Sequence, residues 1–336
     1  MVNRWLWRLV AAVVLLAAAA AGAVVWWLGR PLALAGARVE VSIEPGTPPR
    51  DVARLWVAAG VQTSPEWLYQ WFRWSGDARR IRAGSYEIEA GTTPRALLDK
   101  MVRGDETLET VRLIEGWTFR QVRQALATAP HLKPTITALS DAQVAAAIGL
   151  PVPSVEGRLF PDTYAYSRGV SDVTVLRRAM HAMQRRLDAA WATRADGLPL
   201  ATPDEALVLA SIVEKETGTP ADRGRIAGVF TNRLRIGMPL QSDPTVIYGL
   251  GTAFDGNLRR ADLVADTPWN TYTRAGLPPT PIAMPGLASL QAVMQPEATR
   301  ALYFVARGDG SGGSVFSENL ADHNRAVNEH QKGPRR

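Results

Sequence analysis

Leu9 to Leu28 is a run of twenty residues without a charge, bounded by Arg4 and Arg8 on one side and Arg30 on the other. At ~1.5 Å per residue, a helix of that length crosses the ~30 Å hydrocarbon core of a bilayer. Trp5 and Trp7 precede the run and Trp26 and Trp27 close it, as interfacial aromatic belts do. The segment divides the chain: 1–8 reads as a cytoplasmic N-terminus, 9–28 as a transmembrane helix, and about 300 residues follow on the far side. Arg4 and Arg8 set that orientation, against the opposing pull of Arg30 and Arg38. Ala21-Gly22-Ala23 resembles a signal cleavage site, yet the apolar run exceeds the usual ~7–15-residue core of a signal peptide and ends in a Trp pair. An uncleaved anchor is therefore expected.

Composition then narrows the chemistry. The 336 residues hold no cysteine, which excludes thiol catalysis and a disulfide framework, and only four histidines (His131, His181, His323, His330), none at ligand-like spacing. No metal and no cofactor is expected, and catalysis falls to carboxylates, amides and hydroxyls. A net charge of +6 comes from scattered Lys and Arg with no nucleic-acid motif, so a polyanionic wall or a membrane surface suits it and nucleic acid does not.

Beyond the span, a pattern repeats three times. Glu44-Pro45-Gly46-Thr47, Glu89-Ala90-Gly91-Thr92 and Glu115-Gly116-Trp117-Thr118 each follow an alternating or β-branched run, with Arg four residues and an aliphatic six residues after the Gly. The unit reads as strand, Gly turn, amphipathic helix, at spacings too irregular for a solenoid. The string from Gly46-Thr47 through Leu55 to Gly60-Val61 resembles LysM, a small β-α-α-β module that binds N-acetylglucosamine polymers; a generic capped helix after a strand would read the same way. Trp56, Trp67, Tyr69, Trp71 and Trp74 crowd this stretch, suited to stacking on sugars or to filling a small core. The expected fold class is α+β: a LysM-like module at 38–108, a connecting region at 109–153, and a catalytic domain at 154–331.

In that last region, Thr202-Pro203-Asp204-Glu205 opens a helix with a Thr-x-x-Glu capping pattern, the run to Val213 is uncharged after Glu205, and Gly218 and Pro220 stop it. Glu214 and Glu216 extend its core-facing rows into the last turn, where burial and the helix dipole both disfavour an anion. A carboxyl kept protonated near neutral pH is what a general acid requires. Taken alone, the pair also fits a solvated helix end with Lys215 and Arg223 as partners. Ser211 and Lys215 have the wrong spacing and setting for a Ser-Lys nucleophile. Downstream, Gln241-Ser242-Asp243-Pro244 to Tyr248, and Asn270-Thr271-Tyr272-Thr273, form polar and aromatic loops of the kind that bind sugars, making Gln241, Asp243, Tyr248, Asn270, Tyr272 and Glu214 candidate substrate contacts.

Taken in order, the strings E-G-R-L-F-P-D-T-Y, A-S-I-V-E-K-E-T, N-R-L-R-I-G-M-P-L-Q-S-D-P-T-V-I-Y-G, N-T-Y-T-R-A-G-L-P-P-T-P-I-A-M-P-G, Y-F-V-A-R-G-D-G and H-N resemble the endolytic murein transglycosylases, the MltG or YceG-like family. The resemblance covers nearly the whole chain, and it maps the family's catalytic glutamate onto Glu216; spacing alone leaves Glu214 and Glu216 equivalent. It implies cleavage of the MurNAc-β-1,4-GlcNAc bond in nascent glycan strands without water, leaving 1,6-anhydroMurNAc ends and limiting strand length. It also implies a single-pass inner-membrane protein whose catalytic domain is periplasmic, working beside penicillin-binding protein synthases. A two-carboxylate hydrolase pairing Glu216 with Asp243 or Glu214, and a non-catalytic peptidoglycan-binding scaffold, remain the rival readings.

Overall fold

The computed structural model describes residues 4–330. Residues 1–3, within the expected cytoplasmic segment, and 331–336, which include the last residue of the expected catalytic domain, lie outside the described residues. The chain is α+β and forms two compact units, Met1–Glu109 with Ala165–Val170, and Thr110–Tyr164 with Ser171–Arg336.

The first unit begins with α1 (Arg4–Gly29), whose segment Trp7–Gly29 has a mean hydropathy of 2.5 and is free of protein cover except near its end, where Leu28 is buried and Val24 and Trp27 are partly buried. It is long and apolar enough to cross a membrane. Then come β1 (Arg38–Ile43), α2 (Pro49–Ala58), α3 (Pro65–Trp74), β2 (Gly84–Glu89), α4 (Pro94–Arg103) and the start of β3 (Leu108–Arg112). β1 and β2 pair antiparallel with Val39 opposite Ile88 and Val41 opposite Tyr86. Alternation along β1 turns Val39, Val41 and Ile43 inward onto Trp56, Leu68, Phe72, Leu97 and Met101, all buried. Trp56 donates its indole N–H to Met101 Sδ at 3.3 Å, so it is a core residue, whereas Trp67 and Trp74 are exposed.

The second unit holds α5 (Phe119–Thr128), α6 (Asp141–Ile148), the start of β4 (Thr163–Ser167), α7 (Asp172–Ala192), α8 (Pro203–Glu216), α9 (Arg223–Arg235), α10 (Asp243–Leu250), α11 (Arg260–Val264), α12 (Leu287–Met294), β5 (Tyr303–Ala306), β6 (Ser314–Ser317) and α13 (Leu320–His330). α8 is its centre: every residue from Ala206 to Val213 is buried, packed on Met183 and Leu187 of α7, Ile226 and Phe230 of α9, and Leu290 and Val293 of α12. Thr202 Oγ1 accepts from Glu205 N–H at 3.2 Å while Ala201 N–H donates to the Glu205 carboxylate at 2.6 Å, which fixes the start of α8. β5 and β6 form an antiparallel hairpin around the glycines at 308–313.

The division differs from the expected one in two places. Residues 110–153, read as a connection, cluster with the second unit through the buried Phe119, Val122 and Leu126 of α5 and Val144 and Ile148 of α6. Ala165–Val170 clusters with the first, where Arg168 pairs with Glu40 and Glu109. Ion pairs between residues so far apart in sequence leave no periodic trace.

Candidate active site

The two glutamates at the end of α8 have separate surroundings. Glu214 turns to α12: its Oε2 accepts from Gly286 N–H at 3.0 Å and from Ser289 Oγ at 2.7 Å, supplying a carboxylate to the first turn of that helix. Lys215 reaches the Gly116 carbonyl at 3.4 Å. Glu216 faces a cleft of about 600 Å³ that Arg233, Gln241, Asp243, Tyr272, Tyr303 and His323 also line.

A tight loop brings the hydroxyl partner to Glu216. After α9 the chain turns at Gly237, and Gln241 adopts a left-handed φ of 49° while its N–H donates to the Thr271 carbonyl at 3.0 Å. A non-glycine residue rarely takes that conformation, which costs on the order of 1 kcal/mol. It is held by a buried lattice in which Ser242 N–H donates to Thr271 Oγ1 at 3.0 Å and Thr245 Oγ1 bonds both the Ser242 carbonyl and Thr271 Oγ1. The result aims Ser242 Oγ at Glu216 Oε1, 2.6 Å away.

Burial pushes the Glu216 carboxyl up to about 7; the Ser242 bond pulls down, the neighbouring Asp243 charge pushes up, and Arg233 pulls down. Arg233 is itself buried, donating to the carbonyls of Leu302 (2.7 Å) and Leu240 (2.7 Å), with its guanidinium 5.3 Å from the Tyr303 ring. It fixes a cation behind the carboxyl without a direct ion pair to it. Tyr272 donates its hydroxyl to Asp243 Oδ1 at 2.6 Å, and burial followed by that bond raises the phenol well above its usual value. The exposed Asp243 carboxylate is thus held in the first turn of α10, where the helix dipole favours it.

The predicted contacts therefore divide. Gln241, Asp243 and Tyr272 join Glu216 at the cleft. Asn270 is fully buried: its amide donates to the carbonyls of Asp262, Leu263 and Ala265 and accepts from Tyr272 N–H at 2.9 Å, so it holds the loop that carries Tyr272. Tyr248 packs edge-on against Trp269, with ring centres 5.7 Å apart, and bonds Glu156 and Thr280. Its partner Glu156 is buried, accepts from Phe119 N–H at 3.0 Å, and is likewise pushed by burial up to about 7. Two residues on, Arg158 forms a paired bond with Asp204 at the start of α8. The E-G-R-L-F-P-D-T-Y string thus caps α5 and pins α8.

Residues that sequence reading did not single out complete the cleft: Ser242, Arg233, Tyr303 and His323. His323 stacks on Tyr303 with ring centres 5.2 Å apart, its Nδ1 buried without a hydrogen-bond partner, and burial with Arg233 nearby keeps the imidazole below its usual pKa. The family strings contain these residues, but only the fold shows which of them face one space.

Among known proteins, the chain matches the YceG-like family over residues 41–329. It is 31% identical over 307 residues to a Bacillus subtilis protein named endolytic murein transglycosylase, covering 86% of this chain and 83% of the relative. A Streptococcus pneumoniae protein of the same name is 31% identical over 285 residues, covering 74% of this chain and 51% of the relative, so the chain spans about half the length of that protein. The crystal structure of a YceG-like protein from Listeria monocytogenes superposes with a TM-score of 0.56 at 28% identity, over 86% of this chain and 98% of the other.

Proposed function

This chain belongs to the YceG-like family, and from that premise we propose that it is a membrane-anchored lytic transglycosylase of peptidoglycan with Glu216 as its acid and base. The supporting observation is a carboxyl raised to about 7, set in an open cleft and bonded by Ser242. A group with that pKa is protonated often enough to donate and ionised often enough to accept, which suits a single residue that does both in turn.

In the proposed reaction Glu216 donates its proton to the glycosidic oxygen between MurNAc and GlcNAc as the C1–O bond breaks. The carboxylate then takes the proton of the sugar's own 6-hydroxyl, whose oxygen closes on C1 to give a 1,6-anhydroMurNAc end. The attack is intramolecular, so no water need be activated, and the 2-acetamido group steadies the oxocarbenium-like centre as in substrate-assisted glycosidases. Arg233 offsets part of the charge when Glu216 is ionised. Gln241, the Asp243–Tyr272 pair and the unpaired His323 nitrogen offer polar groups to sugar hydroxyls and amides.

The residues at 154–331 would act on nascent strands in the periplasm beside penicillin-binding protein synthases, with α1 as a single span whose N-terminus is cytoplasmic. The β-α-α-β order of β1, α2, α3 and β2 supports a LysM-like glycan-holding role for 38–108. Mass analysis of fragments released from uncrosslinked glycan by the full-length protein tests the chemistry. Anhydro ends are expected; reducing ends would indicate a hydrolase using Asp243 as second carboxylate, and no release would indicate a binding scaffold.

A further inference from the structure

The tryptophans of the first unit do not share one environment. Trp67, Trp71 and Trp74 lie at positions i, i+4 and i+7 of α3 and so form one stripe. Trp71 is half-buried and donates its indole N–H to the Pro94 carbonyl at 3.1 Å. Trp67 is 58% and Trp74 67% exposed. The stripe runs beside α1: Trp27 meets Trp67 edge-on with ring centres 5.8 Å apart, and Val24 and Trp27 share with the three α3 tryptophans an apolar groove of about 270 Å³.

This neighbour is the end of the apolar span. If Val24 to Leu28 stood clear of the bilayer, only the fifteen uncharged residues 9–23 would remain, a helix of about 22 Å, short of the ~30 Å core. The last turns of α1 must therefore lie within the membrane, and the groove includes Val24, about 7 Å below the end of the helix at Gly29. The unit cannot lift away on a tether. Leu28 and Leu32 are buried, Leu32 N–H donates to the Thr92 carbonyl, Ala35 N–H to Gly60, and Gln62 N–H to Ala33, each at 2.8 Å, so the connector is built into the fold.

We propose that α3 is an interfacial helix lying in the outer headgroup layer, with Trp67 and Trp74 seated at the boundary with the acyl chains. The inference rests on the anchor reading of α1. Polar Glu66 and Gln70 along the groove and exposed Arg73 beside it set the depth at the headgroups rather than in hydrocarbon, and Arg30, whose guanidinium lies 4.2 Å from the Trp26 ring, adds a second cation for lipid phosphates. The outward tryptophans are thereby assigned to lipid and not to sugar, and the first unit holds a fixed height above the bilayer.

The absence of native cysteine makes the test direct. Full-length protein carrying a single nitroxide at Trp67→Cys, Gln70→Cys or Trp74→Cys is placed in nanodiscs of phosphatidylethanolamine with a minority of phosphatidylglycerol. Its collision rates with oxygen and with a water-soluble nickel complex are compared with those of lipids labelled at known depths. Gln70→Cys keeps every tryptophan and guards against a loss of fold. Val14→Cys reports the span itself. Labels 67, 70 and 74 at headgroup to upper-acyl depth, with label 14 near the bilayer centre, are the expected result. Label 14 in lipid with labels 67, 70 and 74 in water would overturn the proposal and leave the anchor, freeing the stripe for glycan or protein; label 14 in water would overturn both.

Discussion

Replacing Ser242 by alanine removes the hydroxyl that donates to Glu216 at 2.6 Å while leaving the backbone lattice of Ser242, Thr245 and Thr271 in place. A hydrogen bond to a charged acceptor contributes ~1.5–3 kcal/mol and one to a neutral acceptor ~0.5–1.5 kcal/mol, so the hydroxyl favours the ionised form by on the order of 1–1.5 kcal/mol. At ~1.4 kcal/mol per pH unit, its loss raises the titration of Glu216 by about one pH unit from its value near 7. Cleavage starts from the protonated form, so the basic limb of the kcat profile should move upward by that amount. The assay is release of anhydro-ended fragments from uncrosslinked glycan between about pH 5 and 9. Glu156 is also raised to about 7, but its partners are Phe119 and Tyr248, so a limb belonging to Glu156 would stay where it is in Ser242→Ala. A limb that does not move, or moves toward lower pH, refutes the assignment of Glu216 as the acid held by Ser242.

Three further outcomes are expected. Glu216→Gln should lower turnover by ~10²–10⁴-fold. Because burial raises the folded-state pKa above the usual 4.5, the native fold's advantage is complete below about pH 4.5 and lost as pH rises through 7; the variant should therefore match the parent at pH 4 and exceed its stability above pH 7 by at most about 3 kcal/mol, read from denaturant melts. Asn270→Ala should cost about 2–3 kcal/mol, because three carbonyls lose their shared donor in a buried site, and lower the melting temperature by about 5–10 °C. Deleting 38–108 should reduce activity on polymer more than on a short fragment, since extended substrates draw on remote binding; equal losses in steady-state assays would make that segment a spacer.

Periodicity and punctuation carried much of this fold. The Thr202 cap, the uncharged run of α8, its stop before Gly218, and α12 at Leu287–Met294 were all legible, because each rests on local propensity. The recurring Gly turns were legible too: Gly46, Gly91 and Gly116 all have positive φ, where L side chains are strained. Long-range partners were not. Asn270 reads as a sugar-binding amide in a polar loop, and nothing local shows that three carbonyls will enclose it. Tyr248 and Glu156 sit in separate strings, yet they bond each other.

The choice between Glu214 and Glu216 shows where local reasoning stops. Both extend core-facing rows of one helix, and spacing treats them alike; the difference lies in what distant segments bring. Gly286 N–H and Ser289 Oγ engage Glu214 at the first turn of α12, away from the cleft, whereas Ser242, Asp243 and Arg233 surround Glu216 at it. Glu214→Gln should then keep both hydrogen bonds to a neutral acceptor, each weaker by about 1–1.5 kcal/mol than to a carboxylate, lower the melting temperature by about 4–12 °C, and retain turnover with the basic limb near pH 7. Were Glu214→Gln inactive at an unchanged melting temperature while Glu216→Gln still released anhydro ends, Glu214 would be the acid and the cleft at Glu216 would serve another purpose.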